Sequence, residues 1–286
     1  MRRSLLFIPA NAPAMLQNAD VFAADAVIFD LEDSVLIDQK DAANELLKQY
    51  LVQFSNLNME KIVRINGVDT PFFEHDLKQI VSDQIDTIML PKATKKAVEM
   101  VSNLLDKIEK MKKMKKKISL IPIIELAISF IEIHEIASNS RVSGLLLGAE
   151  DLATDLEVER TEVGHEIFYA RSQVIITAKA YKIDAIDTPY TNTQSHEGLI
   201  ADAMFAKSLG MNAKACIHPN QIDEVNRIFS PTEKEILYAK KVLLAYEDAH
   251  NNQKGVFSVD GKMIDKPIIE RSQKLIEKAK KWGLYA

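Results

Sequence analysis

Short apolar runs recur along the chain, and each is followed by an amphipathic stretch. The runs are SLLFIPA (4–10), DAVIFDLED (25–33), KIVRING (61–67), DTIMLPKA (86–93), SLIPIIE (119–125), SGLLLGAED (143–151), DAIDTPY (184–190) and AKACIHP (213–219). Each core is rich in Ile, Leu, Val or Phe and too short for a helix, which suits strands buried on both faces. The stretches between them have helical periodicity. KKAVEMVSNLLDKIEKM, for example, puts Val98, Val101, Leu104, Leu105 and Ile108 on one face. Strands that alternate with helices pair in parallel. Eight such units before residue 220 predict an α/β fold, a (β/α)8 TIM barrel rather than an open doubly wound sheet.

After the eighth strand the pattern changes. FSPTEKEILYAKKVLLAYEDAH reads as a helix with Ser230 as N-cap, Pro231 at the first helical position and Glu233 closing a capping box. GVFSVDGKMIDKP reads as a hairpin turning at Asp260–Gly261, and IIERSQKLIEKAKKW as a last helix. The expected organisation is a catalytic barrel over 1–229 and an extension over 230–286, which is either a packing appendage or a lid. No Gly/Ser-rich linker and no repeat beyond the strand–helix rhythm divides the barrel.

Composition narrows the function classes. Of 286 residues, 47% are apolar and 27% charged, as in ordinary globular proteins. A net charge of −5 argues against a nucleic-acid or membrane-surface partner. One cysteine, Cys216, excludes a disulfide framework and makes a reducing cytoplasm the expected compartment. The apolar run after Arg2 and Arg3 stops at Pro9, too short for a signal peptide or a membrane span. There is no G-x-G-x-x-G or G-x-x-x-x-G-K motif, and no Ser/His pairing suggests a hydrolase. The basic run KIEKMKKMKKK (107–117) ends the helix before strand 5, where lysines suit the helix dipole and a solvated face; a docking patch for an acidic partner is the alternative.

In a barrel of this kind the active site lies at the C-terminal ends of the strands. Here those ends deliver Asn11, Asp30 with Glu32 and Asp33, Arg64 with Asn66, Lys92, Glu125, Glu150 with Asp151, Asp187 and His218. So many carboxylates on one rim require cations. Arg64 and Lys92 are two, and a divalent metal is the other candidate. With oxygen ligands and no Cys/His cluster, Mg²⁺ is favoured over zinc. Glu125 and Asp151, on neighbouring strands, are the natural pair. The plainer readings are that Asp151 caps the next helix and that Glu125 pairs with Lys92. Arg64 suits stabilisation of an oxyanion or enolate. Lys92 could instead form a Schiff base.

The segments RSLLFIPA, DAVIFDLEDSV, VRIN, LPKA, PIIEL, LGAEDL, ERTEVGHEIFYARS, AIDTPY, IHPNQI and GKMIDKP, taken together, resemble the metal-dependent HpcH/HpaI aldolase/citrate lyase family, and within it the beta subunits of bacterial citrate lyases. The likeness runs in order along nearly the whole chain and implies the same barrel. It implies that Glu125 and Asp151 bind Mg²⁺, that Arg64 and Phe7 contact substrate, and that Ile217 and His218 line a thioester-carrier pocket. Asp265 matches a catalytic aspartate that reaches a neighbouring subunit's site, so a homo-oligomer, trimer or hexamer, is implied, with the extension as its lid. Glu32 and Asp33 match a DLED element expected to anchor water or Arg64 rather than the metal. The chain departs from the family pattern at Leu126, where Thr or Ser is usual, at Asn44 for an Arg, at Ala10 for a Gly, at Ala14 for a Lys, and at Glu157, where free-standing relatives often have Gly.

The implied reaction is Mg²⁺-dependent cleavage of a citryl thioester, carried on an acyl carrier protein, to oxaloacetate and an acetyl thioester. Citrate lyase alpha and gamma subunits would then be partners. The nearest rival is a free-standing citramalyl-CoA or malyl-CoA lyase, with CoA as the carrier. More remote are a phosphoenolpyruvate- or pyruvate-handling barrel, for which the segments after strands 7 and 8 lack phosphate-cradling glycines, and an inactive structural subunit.

Overall fold

The structure is a computed structural model, and it describes residues 2–54, 59–251 and 257–285. The chain forms two compact units, Met1–Asn226 and Arg227–Ala286. In the first, eight strands close into a parallel barrel in sequence order: β1 (Ser4–Pro9), β2 (Ala26–Asp30), β3 (Glu60–Arg64), β4 (Thr87–Leu90), β5 (Ser119–Ile124), β6 (Gly144–Leu147), β7 (Asp184–Asp187) and β8 (Ala213–Cys216). Closure is by β1 on β8, with Leu5 opposite Ala215. All eight expected strands are present. Among the described residues of this unit, these helices follow them: α1 (Pro13–Gln17), α2 (Lys40–Gln53), α3 (Phe73–Ile80), α4 (Lys95–Met111), α5 (Ala127–Ile131), α6 (Ile133–Ser138), α7 (Ala149–Asp155), α8 (Phe168–Ala180) and α9 (His196–Leu209).

Strand alternation decides what each residue does. One set of side chains fills the barrel: Leu5, Ala26, Ile28, Ile62, Met89, Ile121, Ile123, Leu146, Ile186, Ala213 and Ala215. The other set, including Leu6, Val27, Phe29, Val63 and Leu145, is equally buried and faces the helices. α4 begins where Thr94 Oγ1 accepts the Ala97 amide, and it buries Val98, Val101, Leu105 and Ile108, four of the five apolar positions read from the sequence.

Charge seals the N-terminal end of the barrel. Arg2 donates to Glu60 at 2.5 and 2.7 Å, to Asp184 at 2.8 Å and to Ser143 Oγ at 3.2 Å. Thr87 Oγ1 donates a further 2.7 Å bond to Glu60. On the outer wall, Arg171 of α8 and Lys214 of β8 both pair with Asp187 and with Asp202 of α9, at 2.6–2.9 Å. Arg171, Lys214 and Asp187 are almost wholly buried.

The passage to the second unit runs through α10 (Ile222–Phe229). That unit contains α11 (Glu233–Asn251), a hairpin of β9 (Phe257–Val259) and β10 (Lys262–Ile264), and α12 (Lys266–Lys281). The hairpin turns at Asp260 and Gly261, both at positive φ, as a two-residue primed turn requires. Its core joins Ile236, Ala239, Ile276 and Ala279, with Val242, Val259 and Ile264 beside them. The capping box differs from expectation. It forms between Thr232 and Glu235, with Thr232 N–H donating to Glu235 Oε2 at 2.7 Å and Glu235 N–H to Thr232 Oγ1 at 3.2 Å. Two overlapping S/T-x-x-E frames occur here, and the helix starts from the second, so Pro231 precedes the cap. Among the described residues, no helix is long and apolar enough to cross a membrane.

Candidate active site

The inward-facing set of side chains continues past the strand ends, and its chemistry changes there. β1 carries Leu5 inward and then Phe7 and Pro9; β2 carries Ile28 and then Asp30; β3 carries Ile62 and then Arg64; β5 carries Ile123 and then Glu125. By the same two-residue count β6 gives Gly148, β7 gives Thr188 and β8 gives Ile217. These residues line a cavity of about 450 Å³, completed by Asp33, Ser34, Ala149, Glu150, Asp151 and Pro189. One wall is acidic, with Arg64 set in it. Phe7, Ile123, Leu146, Pro189 and Ile217 supply the apolar part of the lining.

Glu125 is 4% exposed. Its Oε1 accepts the Lys92 backbone N–H at 2.6 Å. Lys92 donates from a left-handed conformation, φ +48°, which is costly for a residue with a Cβ. Its ammonium is exposed and forms no ion pair with Glu125, so the simple pairing expected of the two does not form. That exposure also denies it the desolvation that a Schiff-base lysine needs. The second oxygen of Glu125 faces Gly148. A Cβ there would lie 2.3 Å from Glu125 Oε2, 2.7 Å from Glu125 Cβ and 2.8 Å from Ile123 Cγ2. Gly148 therefore makes room for the carboxylate. Burial, with Asp151 and Glu32 adding to it, pushes Glu125 up to about 8 against the opposing bond from Lys92.

Asp151 sits in the first turn of α7, where the helix dipole favours a negative charge. The helix N-cap is Gly148, without a side-chain bond, so Asp151 is not the cap. It is half-buried and lines the cavity.

Arg64 is held by Asp30, through Nε and Nη2 at 2.7 Å each. This bidentate pair outweighs burial and keeps Asp30 below the usual carboxylate range, while Arg64 is raised. Nη1 lies 3.0 Å from Glu32 Oε2 and 3.5 Å from Asp33 Oδ2. The Glu32 contact lacks hydrogen-bond geometry, so Glu32 Oε2 is buried with no donor. Burial, helped by Asp33 and Asp30, pushes Glu32 up to about 7 against the pull of Arg64. Arg64 also lies over the Phe7 ring, 5.0 Å from its centre.

The cavity thus gathers Phe7, Arg64, Glu125, Asp151, Asp33 and Ile217, with Glu32 behind Arg64. His218 is exposed. Its Nδ1 accepts the Asn220 N–H at 3.2 Å and caps a 3₁₀ turn. Asp265 belongs to the second unit, where its Oδ1 accepts the Ile268 N–H at 3.2 Å and caps α12. Asp187 was expected on the rim and is not there. Its place on β7 alternates with inward-facing Ile186, so it turns outward to Arg171 and Lys214. Three contributors went unassigned in the sequence: Asp30 as the clamp on Arg64, the Lys92 amide, and Gly148 as the gap for Glu125. Counting in twos from the apolar core would have found Gly148 and set Asp30, already read on the rim, beside Arg64.

The carboxylates present fit a divalent cation. Among the described residues there is no cluster of three or more His, Cys, Asp or Glu in ligand geometry. Two carboxylates with open space beside them suit Mg²⁺, which commonly takes one or two and keeps waters for a substrate to replace. A cation there would also offset the unfavourable burial of Glu125.

Fold and cavity together define a parallel (β/α)8 barrel whose strand C-termini gather buried carboxylates and apolar side chains round one cavity. Residues 3–219 match the HpcH/HpaI aldolase/citrate lyase family. The chain is 38% identical over 282 residues to the citrate lyase subunit beta of Leuconostoc mesenteroides subsp. cremoris, covering 98% of this chain and 93% of that one. It is 32% identical over 278 residues to a (3S)-malyl-CoA thioesterase of Cereibacter sphaeroides, covering 97% and 94%. A crystal structure of protein CitE from Mycobacterium tuberculosis, in complex with magnesium, acetoacetate and coenzyme A, superposes with a TM-score of 0.77 at 28% identity, covering 98% of both chains. The chain belongs to the HpcH/HpaI aldolase/citrate lyase family and is a carbon–carbon lyase.

Proposed function

We propose that the chain is the lyase subunit of a citrate-cleaving enzyme. It would split a citryl thioester, carried on an acyl carrier protein, into oxaloacetate and an acetyl thioester. The observation that carries this reading is one cavity lined both by two carboxylates, Glu125 and Asp151, and by apolar side chains, Phe7, Leu146 and Ile217. The first suits a hydroxy acid bound through a metal, and the second a thioester chain. The Leuconostoc relative bears the same function in its name, and CitE holds magnesium and coenzyme A.

Glu125 and Asp151 would hold Mg²⁺, which would supply Lewis acidity toward the substrate's hydroxyl and carboxylate oxygens and lower the hydroxyl pKa. The chain's residues do the rest. Asp265, from a neighbouring copy, takes the hydroxyl proton. The carbon–carbon bond breaks and its electron pair passes to the thioester as an enolate. Arg64, fixed by Asp30 and unable to lose its charge, faces the developing enolate oxygen. Phe7 and Ile217 wall the thioester chain away from water. Alpha and gamma partner subunits, and a homo-oligomer, belong to the same proposal.

The test is direct. The purified chain with Mg²⁺ is given citryl-CoA, a surrogate for the carrier-bound thioester, and oxaloacetate is followed; citramalyl-CoA runs in parallel and is followed as pyruvate. Oxaloacetate release abolished by EDTA is the expected result. Pyruvate from citramalyl-CoA alone would move the chain to a CoA-dependent activity, in keeping with its Cereibacter relative. No product from either, even with alpha and gamma subunits added, would sink the assignment.

A further inference from the structure

Helix α5 starts two residues after Glu125, and its N-cap is Leu126, φ −121°, which has no side-chain acceptor. An uncapped helix start leaves backbone N–H groups without partners. Here the first of them, Ala127 N–H, donates to Asp155 Oδ2 at 2.6 Å. Asp155 is the last residue of α7, four places after Asp151 and so one turn along the same face. The other end of α7 is also tied: Ala149 N–H donates to Thr188 Oγ1 at 3.3 Å. A seven-residue helix that presents Asp151 is thus fastened at its last residue to the backbone that presents Glu125.

We infer that Asp155 is a positioning residue: it caps α5 from a different helix and thereby sets the spacing between Glu125 and Asp151. The inference rests on the reading that those two carboxylates hold the divalent cation. Its side chain is exposed, so removing it leaves no buried hole. Outer partners of metal ligands commonly change affinity about 10-fold or more when removed.

Calorimetric titration of the full-length chain with Mg²⁺ alone, without substrate, tests it. Asp155→Ala should weaken Mg²⁺ binding by about 10-fold with an almost unchanged Tm. Asp155→Asn keeps an oxygen acceptor and should bind close to wild type. Adding Leu126→Ser to Asp155→Ala restores a local cap but not the link to α7, and binding should stay weak. Wild-type affinity in Asp155→Ala overturns the role. So does recovery in the double variant, which would make Asp155 a helix cap only, and so does an Asp155→Asn as weak as Asp155→Ala, which would make its charge the cause. A wild-type chain that takes up no Mg²⁺ sinks the cation reading of Glu125 and Asp151, a separate failure.

Discussion

Both ends of this barrel are crowded with charge, and they use it in opposite ways. At the N-terminal end Arg2 meets Glu60 and Asp184, and Thr87 and Ser143 complete the set. At the C-terminal end Arg64 is shared by Asp30, Glu32 and Asp33, and Glu125 has only a backbone amide. Glu32 Oε2 has no donor at all. At the base one guanidinium bonds both of two half-buried carboxylates; the rim sets three buried carboxylates, Asp30, Glu32 and Glu125, against Arg64, which bonds only the first of them. A surplus of buried anion is unfavourable on its own. It becomes favourable once a cation and a substrate join it, which is the difference between holding a barrel shut and running a reaction in it.

The comparison can be broken at the rim first. Glu125→Gln or Asp151→Asn should cut citryl-thioester cleavage by on the order of 1000-fold, with thermal melts unchanged or raised in EDTA. Gly148→Ala should cost on the order of 100-fold in kcat by driving Glu125 aside. Steady-state kinetics with a circular-dichroism melt separates both from unfolding. At the base the signs exchange. Arg2→Ala removes the guanidinium that bonds half-buried Glu60 and Asp184 and should destabilise the fold by about 2 kcal/mol. kcat should hold at temperatures where the variant is folded. Urea unfolding beside an activity assay reads both.

The smallest effect is a slope. Glu32 is lifted to about 7 and Glu125 to about 8 from an ordinary 4.5. Between pH 4.5 and about 8 the metal-free folded chain therefore holds more protons than the unfolded one, so stability falls as pH rises through that window. Melting temperature against pH in EDTA should show this decline, and Glu32→Gln should flatten its part below about 7. A rise over the same range would contradict the charge surplus.

Most of the architecture was legible because strand runs such as AVIF and IVR are short, β-branched and separated by helical periods. Arg64 and Glu125 were legible because each follows an apolar run directly, and Asp151 because it comes within four residues of one. Asp187 misled because it does so too, and only its phase relative to Ile186 shows that it faces the helices. The Lys92 amide was invisible in principle, since a backbone donor leaves no mark in a side-chain pattern. The capping frame was ambiguous because Ser230 and Thr232 both open a valid motif. Asp155 went unread for a different reason: its partner is an amide 28 residues away.

The outer quartet of Arg171, Asp187, Asp202 and Lys214 has a consequence for how the barrel assembles in time. Its members come from α8, β7, α9 and β8 in turn, and two cations are balanced by two carboxylates. A half-built state that buried one of them without its opposites would carry several kcal/mol of desolvation per ion. Burying all four side chains together avoids that cost. Their elements make up the final quarter of the barrel, which closes the ring on β1. A quartet that touches no substrate thus ties the last two strand–helix units to one another.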